Sequence, residues 1–245
     1  MIVIPMVGKS SRFFTAGYNI PKFMLPIQDR TVFSHAILSF EKYFSDEEFL
    51  FLTRNDYNAE EFVTNEVNRL GIKNYTVKVF EKETNGQAET VFLGLHDINR
   101  QEEVFIFNID TFLLNFEKPQ WIEECDGYLE VFIGEGENWS YVRSGINNSV
   151  IETAEKEKIS NLCCDGLYYF KEKALFDQAY YYFEKNNMKI KDEYFIAPLY
   201  NVLINIGLDI RYSVINENEV IICGTPEEYE KCIATNLEQR RLIKK

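Results

Sequence analysis

The sequence lacks a long apolar segment. No run approaches the roughly 18–20 apolar residues that a membrane-spanning helix requires. Near the amino terminus a short apolar run precedes the first positive charges, which is the reverse of the order in a secretory signal peptide. We therefore expect a cytoplasmic protein that does not act at a membrane.

Histidine is scarce, and the cysteines show no metal-binding spacing. The two histidines, His35 and His96, both lie in segments with helical periodicity, and the five cysteines contain no CxxC pair. This pattern gives no indication of a zinc site. It favours buried thiols in a reducing compartment, and histidines in packing or surface positions rather than catalytic ones.

Positive charge is in deficit, with 26 Lys and Arg against 39 Asp and Glu and a formal net charge of −13. Nucleic acids and anionic membranes are bound by broad basic faces, so neither is an expected partner. A phosphorylated small molecule remains compatible with this charge, because it requires only a local cluster of cations and hydrogen-bond donors.

The first half of the chain alternates strand and helix patterns. An apolar run at residues 2–7 is typical of a strand buried on both faces, and the alternation that follows predicts βαβ units with a parallel sheet. From about residue 127, short segments broken by Gly, Asn and Ser predict a mixed or antiparallel sheet. Helices are predicted near 172–185, at 193–206, and from Pro226 with Thr225 as the N-cap.

The loop after the first strand combines small residues with cations. Residues 8–13 read GKSSRF, and Pro21-Lys22 follows a short distance later. Backbone N–H groups of such a loop can approach phosphate oxygens, Arg12 can hold two oxygens at once, and Lys22 adds a point charge. An ordinary loop with solvated cations has a similar composition, so the spacing alone leaves both interpretations open.

These segments resemble a known family. The stretches IPMVGKSSRF and PKFMLPI are similar to the signature loop, G-x-G-x-R followed by P-K, of nucleotidyltransferases with a nucleoside-diphospho-sugar transferase-type fold. That family includes sugar-1-phosphate nucleotidyltransferases and phosphocholine-type cytidylyltransferases. The match covers Gly8, Arg12, Pro21 and Lys22, and Ser10 replaces the second glycine.

The resemblance implies a fold and separate regions for binding the nucleotide and the acceptor. The implied fold is a Rossmann-like α/β fold, with a mixed, mainly parallel sheet, helices on both faces and a small acceptor-binding β lobe. The whole chain, 1–245, would be a single domain with a nucleotide-binding half at 1–125 and an acceptor-binding half at 126–245. Ligands are expected at the carboxyl ends of the parallel strands.

Further segments resemble the same family and imply the remaining site residues. Residues 86–90 (GQAET) correspond to the nucleobase-reading helix start, and residues 165–170 (DGLYYF) to a T-G-x-Y-x-F strand in which Asp165 replaces a small hydroxyl residue. A G-T-P-E turn at 224–227 has an expected structural role. The implied catalytic residues are Arg12, Lys22 and Asp110; the nucleotide-binding residues are Met6, Val7, Gly8, Lys9, Ser10, Ser11, Gly86, Gln87 and Asn108; and the acceptor-binding residues are Trp139, Glu155, Lys156, Gly166 and Tyr168.

The implied cofactor is Mg²⁺ on Asp110, since this ion is typically held by one or two carboxylates together with substrate phosphates. An aspartate at a strand end is also a common turn former. Pro198 occupies the position where many relatives have a second metal ligand, and proline has no side chain that can coordinate a metal. Asp192 or Glu193 could supply the missing ligand, and we favour Glu193.

The implied reaction transfers a nucleoside monophosphate from an NTP (CTP, UTP or dTTP) to a sugar 1-phosphate, with release of pyrophosphate. The product would serve capsule or lipopolysaccharide biosynthesis. A cytidylyltransferase acting on a non-sugar phosphate such as phosphocholine shares every motif. Hydroxyl partners in the acceptor pocket would favour a sugar, and an aromatic cage a quaternary amine. A catalytically silent nucleotide-binding paralogue, or a glycosyltransferase of similar fold, also remains open, although Asn108 departs from the D-x-D of glycosyltransferases.

Overall fold

The computed structural model describes residues 1–235 and Leu237, which form two compact units. The first unit contains residues 1–3, 84–107 and 118–217, and the second contains residues 4–83, 108–117 and the described residues from 218. The first strand begins in the first unit and ends in the second. None of the helices in the described part of the chain combines the length and apolarity that crossing a bilayer requires.

The strands are β1 (Ile2–Pro5), β2 (Pro26–Ile27), β3 (Arg30–Thr31), β4 (Phe49–Arg54), β5 (Tyr75–Phe80), β6 (Val104–Phe107), β7 (Thr111–Leu113), β8 (Gly127–Ile133), β9 (Ser140–Ser144), β10 (Val150–Glu155), β11 (Leu162–Phe170), β12 (Ile210–Ile215) and β13 (Val220–Ile222). The α-helices are α1 (Ser11–Thr15), α2 (Val32–Ile37), α3 (Ala59–Leu70), α4 (Gln87–Gly94), α5 (Lys173–Lys185), α6 (Tyr200–Asn205) and α7 (Pro226–Ala234), with short 3₁₀ turns between them.

The second unit contains the predicted βαβ arrangement. Strand β4 pairs with β5 in parallel, from Phe49 opposite Tyr75 to Arg54 opposite Phe80, and α3 connects them. The buried residues of α3 are Ala59, Val63 and Val67, which repeat every four positions and so form one apolar stripe. The strand order in this unit is β1-β4-β5.

The second unit also contains an antiparallel pair, β7 with β13, in which Thr111 lies opposite Ile222. Helix α7 follows β13 and begins with a capping box formed by Thr225 and Glu228. The predicted start of this helix at Pro226 is confirmed.

In the first unit the strand order is β10-β9-β11-β6-β1, and β8 lies between β11 and β12. Pairing is parallel for β1 with β6 and for β12 with β8, and antiparallel wherever β11 takes part. All nine residues of β11 are buried. The strands expected after residue 127 are therefore present and join the sheet through β11.

The predicted α/β fold class is confirmed, whereas the division into halves at 1–125 and 126–245 stays a prediction. All five cysteines lie among the described residues and are buried as thiols rather than disulfides, as expected. His35 is buried in α2 and His96 is exposed.

The helix predicted at 193–206 is wrong over its first part. Directly before this segment, Lys191 and Asp192 have left-handed backbones, with φ of 49° and 66°. The backbone of Glu193 pairs with Ile190, and the Tyr194 N–H donates to Asn85 O at 2.6 Å. These groups are not available for helical hydrogen bonds, so the α-helix begins at Tyr200.

Candidate active site

Lys22 and Asp110 form an ion pair in the second unit. Lys22 begins the 3₁₀ turn that follows Pro21, and Asp110 lies in the turn between β6 and β7. Lys22 Nζ is 2.5 Å from Asp110 Oδ2, and the two side chains are 23% and 21% exposed. The structure thus brings together two of the three predicted catalytic residues, with enough exposure to contact a ligand.

The loop after β1 is tied to Lys22 through Ser10. Ser10 has a left-handed backbone, with φ of 54°, a conformation that favours glycine. Its hydroxyl accepts a hydrogen bond from the Lys22 backbone N–H at 3.1 Å. The residue that replaces the glycine of the family pattern therefore fixes the loop relative to Lys22, which offsets part of the backbone strain.

The other predicted loop residues differ in exposure. Met6 and Val7 are buried directly after β1, and Arg12 and Ser11 are exposed in α1. Lys9 forms an exposed ion pair with Glu83 at 2.8 Å, and the hydrogen bond from Lys9 lowers the pKa of Glu83.

Among the described residues, no atom lies within 4 Å of the place that a Cβ would take at Gly8, so this side of the loop is open. Asn108 is half-buried and its carbonyl accepts the Thr111 N–H.

The G-T-P-E turn lies against Asp110, a contact that sequence reasoning missed. A Cβ at Gly224 would be 2.9 Å from Asp110 Oδ2, and the Cys223 N–H donates to Asp110 O at 2.7 Å. The Glu228 carboxylate accepts the N–H groups of Gly224 and Thr225, each at 2.9 Å, and so fixes the turn. The motif itself was a visible signal, but its distance from Asp110 in sequence concealed the contact.

In the first unit, Gly86 precedes the first residue of α4, Gln87. Gly86 has φ of 113°, and a Cβ there would lie 2.7 Å from both the N and the O atom of Tyr194. Tyr194 O also accepts the Ala88 N–H at 2.9 Å. Glycine is therefore required here by the packing of the Tyr194 backbone. The base-reading roles of Gly86 and Gln87 stay predictions.

Two of the predicted acceptor residues, Lys156 and Tyr168, lie around a third, Glu155, at the end of β10. The Glu155 carboxylate is buried, and it accepts a hydrogen bond from Ser140. The Tyr168 hydroxyl donates to Ser140 Oγ at 3.4 Å. Burial raises the pKa of Glu155. Gly166 lies two residues before Tyr168 on β11, with φ of 102°.

Lys156 is held by contacts on several sides. Its backbone is left-handed, with φ of 55°, and its N–H donates to Trp139 O at 2.8 Å. The ammonium lies 3.8 Å from Glu155 Oε1 and 4.2 Å from the centroid of the Phe195 ring. Strained residues are common at functional sites. Phe195 is a contact that the sequence did not indicate.

The donor set for a metal is small in the described part of the chain. No group of three or more His, Cys, Asp or Glu side chains there could hold a metal ion. A single partly exposed carboxylate such as Asp110 nevertheless suits Mg²⁺, which takes most of its ligands from water and substrate phosphates. Glu193 is exposed and takes part in an isolated bridge with Ile190. Its role as a second ligand stays a prediction.

No protein-family model matches the sequence, and no curated protein matches it. Among solved structures, the chain is similar to a nucleoside-diphosphate-sugar pyrophosphorylase from Vibrio cholerae RC9, with 45% identity over 96% of this chain and 100% of that chain and a TM-score of 0.92. It is also similar to a UDP-glucose pyrophosphorylase (17% identity, 97% and 98% coverage, TM-score 0.73) and to the inositol-1-phosphate CTP transferase of T. maritima (14%, 95% and 94%, 0.73). These last two similarities concern the fold alone.

Proposed function

Because the chain belongs to the nucleoside-diphosphate-sugar pyrophosphorylase family of nucleotidyltransferases, we propose that it transfers a nucleoside monophosphate from an NTP to a sugar 1-phosphate and releases pyrophosphate. The observation that carries the proposal is the ion pair between Lys22 and Asp110, which Ser10 ties to the loop after β1.

In the reaction, a phosphate oxygen of the acceptor attacks the α-phosphorus of the NTP, and the bond to the leaving pyrophosphate breaks. The attacking phosphate is already an anion, so no side chain has to remove a proton. The barrier comes mainly from repulsion between anions, and positioning with fixed positive charge lowers it. Lys22 contacts the α-phosphate, Arg12 the leaving group and Lys156 the acceptor phosphate.

The proposal includes Mg²⁺, which Asp110 would hold, with Glu193 as a second ligand. Bound there, the ion would supply positive charge to the phosphates of the nucleotide. The Lys22 ammonium lies against the same carboxylate.

The acceptor residues favour a sugar over a quaternary amine. Ser140, Tyr168 and Glu155 offer hydroxyl and carboxylate groups that suit a polyol. An aromatic cage would need open ring faces. The Lys156 ammonium already lies over Phe195, and Trp139 packs edge-on against Phe132 with ring centroids 5.2 Å apart. Phosphocholine is therefore the less favoured acceptor.

The proposed product indicates which later reaction would use it. An activated sugar is consumed by glycosyl transfer, and the proposal includes capsule or lipopolysaccharide assembly as the use of that product. It also includes the cytoplasm as the location, since five buried thiols suit a reducing compartment. The expected partners are CTP, UTP or dTTP and the sugar phosphate, without nucleic acid or membrane. The proposed nucleotide half (1–125) contains the catalytic residues, and the proposed acceptor half (126–245) contains Glu155 and Lys156.

The test is a pyrophosphate-release screen of CTP, UTP, dTTP and GTP against sugar 1-phosphates and phosphocholine, with Mg²⁺. We expect release with at least one sugar 1-phosphate and little with phosphocholine. Release with phosphocholine alone would overturn the choice of acceptor. If nucleotide binds but no acceptor is turned over, the chain is a silent paralogue and the proposal fails.

A further inference from the structure

Strand β11 contains a β-bulge directly before Tyr168. Where β11 pairs with β8, Cys164 lies opposite Val131 and Tyr168 lies opposite Leu129. Between these two pairs, β11 therefore contains more residues than β8. Gly166, within the bulge, has φ of 102°. Because side chains alternate between the two faces of a strand, such extra residues decide where the following side chains point.

The side chain of Asp165 closes this bulge. Its Oδ1 accepts the Leu167 N–H at 2.9 Å, and the residue is 2% exposed. The Asp165 side chain thus accepts a hydrogen bond from a backbone N–H that the irregular pairing would otherwise leave buried without an acceptor. A buried donor without an acceptor destabilises the folded state.

Asp165 lies beside a second buried carboxyl group, Glu130 on β8, which is 4% exposed. Burial, followed by the negative charge of Glu130, raises the pKa of Asp165. Glu130 also accepts the Tyr128 hydroxyl at 2.9 Å, and that hydroxyl is 2.6 Å from Ser213 Oγ. Two adjacent buried carboxylates cannot both ionise without a large cost, so we expect the pair to hold one proton between them.

The residue after the bulge belongs to the acceptor site. The Tyr168 hydroxyl donates to Ser140, which in turn donates to Glu155. The bulge thus connects a buried carboxyl pair to the hydroxyl groups proposed to contact the acceptor.

We propose that Asp165 is a positioning residue: it accepts the Leu167 N–H and so holds the bulge in the form that presents Tyr168 to the acceptor. This inference rests on the proposed function for the identity of the acceptor site. Asp165 occupies the place of the small hydroxyl residue in the family pattern.

The arrangement predicts a dependence on pH. The titratable groups that interact with Asp165 are Glu130 and Tyr128 on β8 and Cys164 and Tyr168 on β11, and β12 adds the Ser213 hydroxyl through Tyr128. Each of these titratable groups is neutral or anionic. Loss of the shared proton therefore leaves two carboxylates that repel each other. Asp165 then no longer holds the Leu167 N–H, and the shape of the bulge changes. We expect the KM for the acceptor to rise at alkaline pH, with the KM for the NTP unchanged.

The test compares four variants by steady-state kinetics with the NTP and acceptor found in the screen. Asp165→Ala removes the carboxylate that accepts the Leu167 N–H. The KM for the acceptor should then rise about tenfold, equivalent to about 1.4 kcal/mol. Asp165→Asn keeps an oxygen for Leu167 and a donor for Glu130, so it should rescue acceptor binding and abolish the alkaline rise. Glu130→Gln should abolish the rise as well. Asp177→Asn, another buried carboxylate in this unit, paired with Lys173 at 2.7 Å, is the control and should keep the wild-type pH profile.

An unchanged acceptor KM in folded Asp165→Ala, or an alkaline rise that persists in Asp165→Asn, would overturn the proposal. Should Asp165→Ala fail to fold, the pH profiles of Asp165→Asn and Glu130→Gln still decide it. Infrared spectroscopy provides a readout that does not depend on turnover. A protonated-carboxyl band that disappears in Asp165→Asn supports the shared proton even if no substrate is found, and its absence from the wild type overturns it.

Discussion

Gly224 has no room for a side chain, because a Cβ there would lie 2.9 Å from Asp110 Oδ2. The obstructing atom is the end of a flexible side chain, so Gly224→Ala should displace the carboxylate rather than unfold the turn. We expect the rate of pyrophosphate release to fall about tenfold, equivalent to about 1.4 kcal/mol, with little change in melting temperature.

The matched comparison is Gly71→Ala, at the end of α3, where φ is 82° but the Cβ position is free of contacts within 4 Å among the described residues. That variant should lose about 1 kcal/mol of folding stability and keep its activity. If Gly224→Ala instead lost stability and kept its rate, the turn would have no role at Asp110.

Asp110→Asn tests the proposed metal site. The amide keeps the shape of the side chain but removes the charge that would hold Mg²⁺, so we expect the rate to fall about a hundredfold and the Mg²⁺ concentration for half-maximal rate to rise. Asp56→Asn is the control, since Asp56 has similar exposure and pairs with Arg54 in the same unit. An unaltered Mg²⁺ titration of Asp110→Asn would remove Asp110 from the metal site.

Phe195→Leu tests how Lys156 is held. The ring lies under the ammonium at 4.2 Å, and its loss should raise the KM for the acceptor about threefold without affecting the KM for the NTP. Lys189 lies 5.2 Å from the Tyr194 ring, and Lys189→Ala serves as a control for a cation–π contact outside the site. Equal effects on both KM values would mean that Phe195 acts through general packing.

Some of this architecture follows from local pattern. The alternation of strands and helices in the first half, which includes α3 and β5, was predicted, because α3 has a clear apolar period and β5 has a compact run of β-formers. The error at 193–206 has a different origin: the Tyr194 backbone is bonded to Asn85 and Ala88, and no local pattern reveals such a contact. The same holds for Gly224 beside Asp110 and for Phe195 beneath Lys156.

The raised pKa of Asp165 also has a consequence for stability. A carboxyl group with a higher pKa in the folded state stabilises that state fully below its unfolded pKa, and this stabilisation is lost as the pH rises through the folded value. Asp165→Asn cannot ionise. Its melting temperature should therefore rise relative to that of the wild type as the pH increases above the ordinary range of aspartate, as followed by thermal unfolding across a pH series. A constant difference would show that Asp165 has the same pKa in the folded and unfolded states, so that folding does not raise it.

The most direct measurement is pyrophosphate release by Lys22→Ala beside the wild type, with the melting temperatures of both proteins. The pair with Asp110 is partly exposed and should contribute little to folding, so the melting temperature should shift by no more than about 4 °C. The rate should fall about a hundredfold or more, because fixed charge at the α-phosphate is lost. A Lys22→Ala enzyme that melts like the wild type and keeps a near-normal rate would contradict the account.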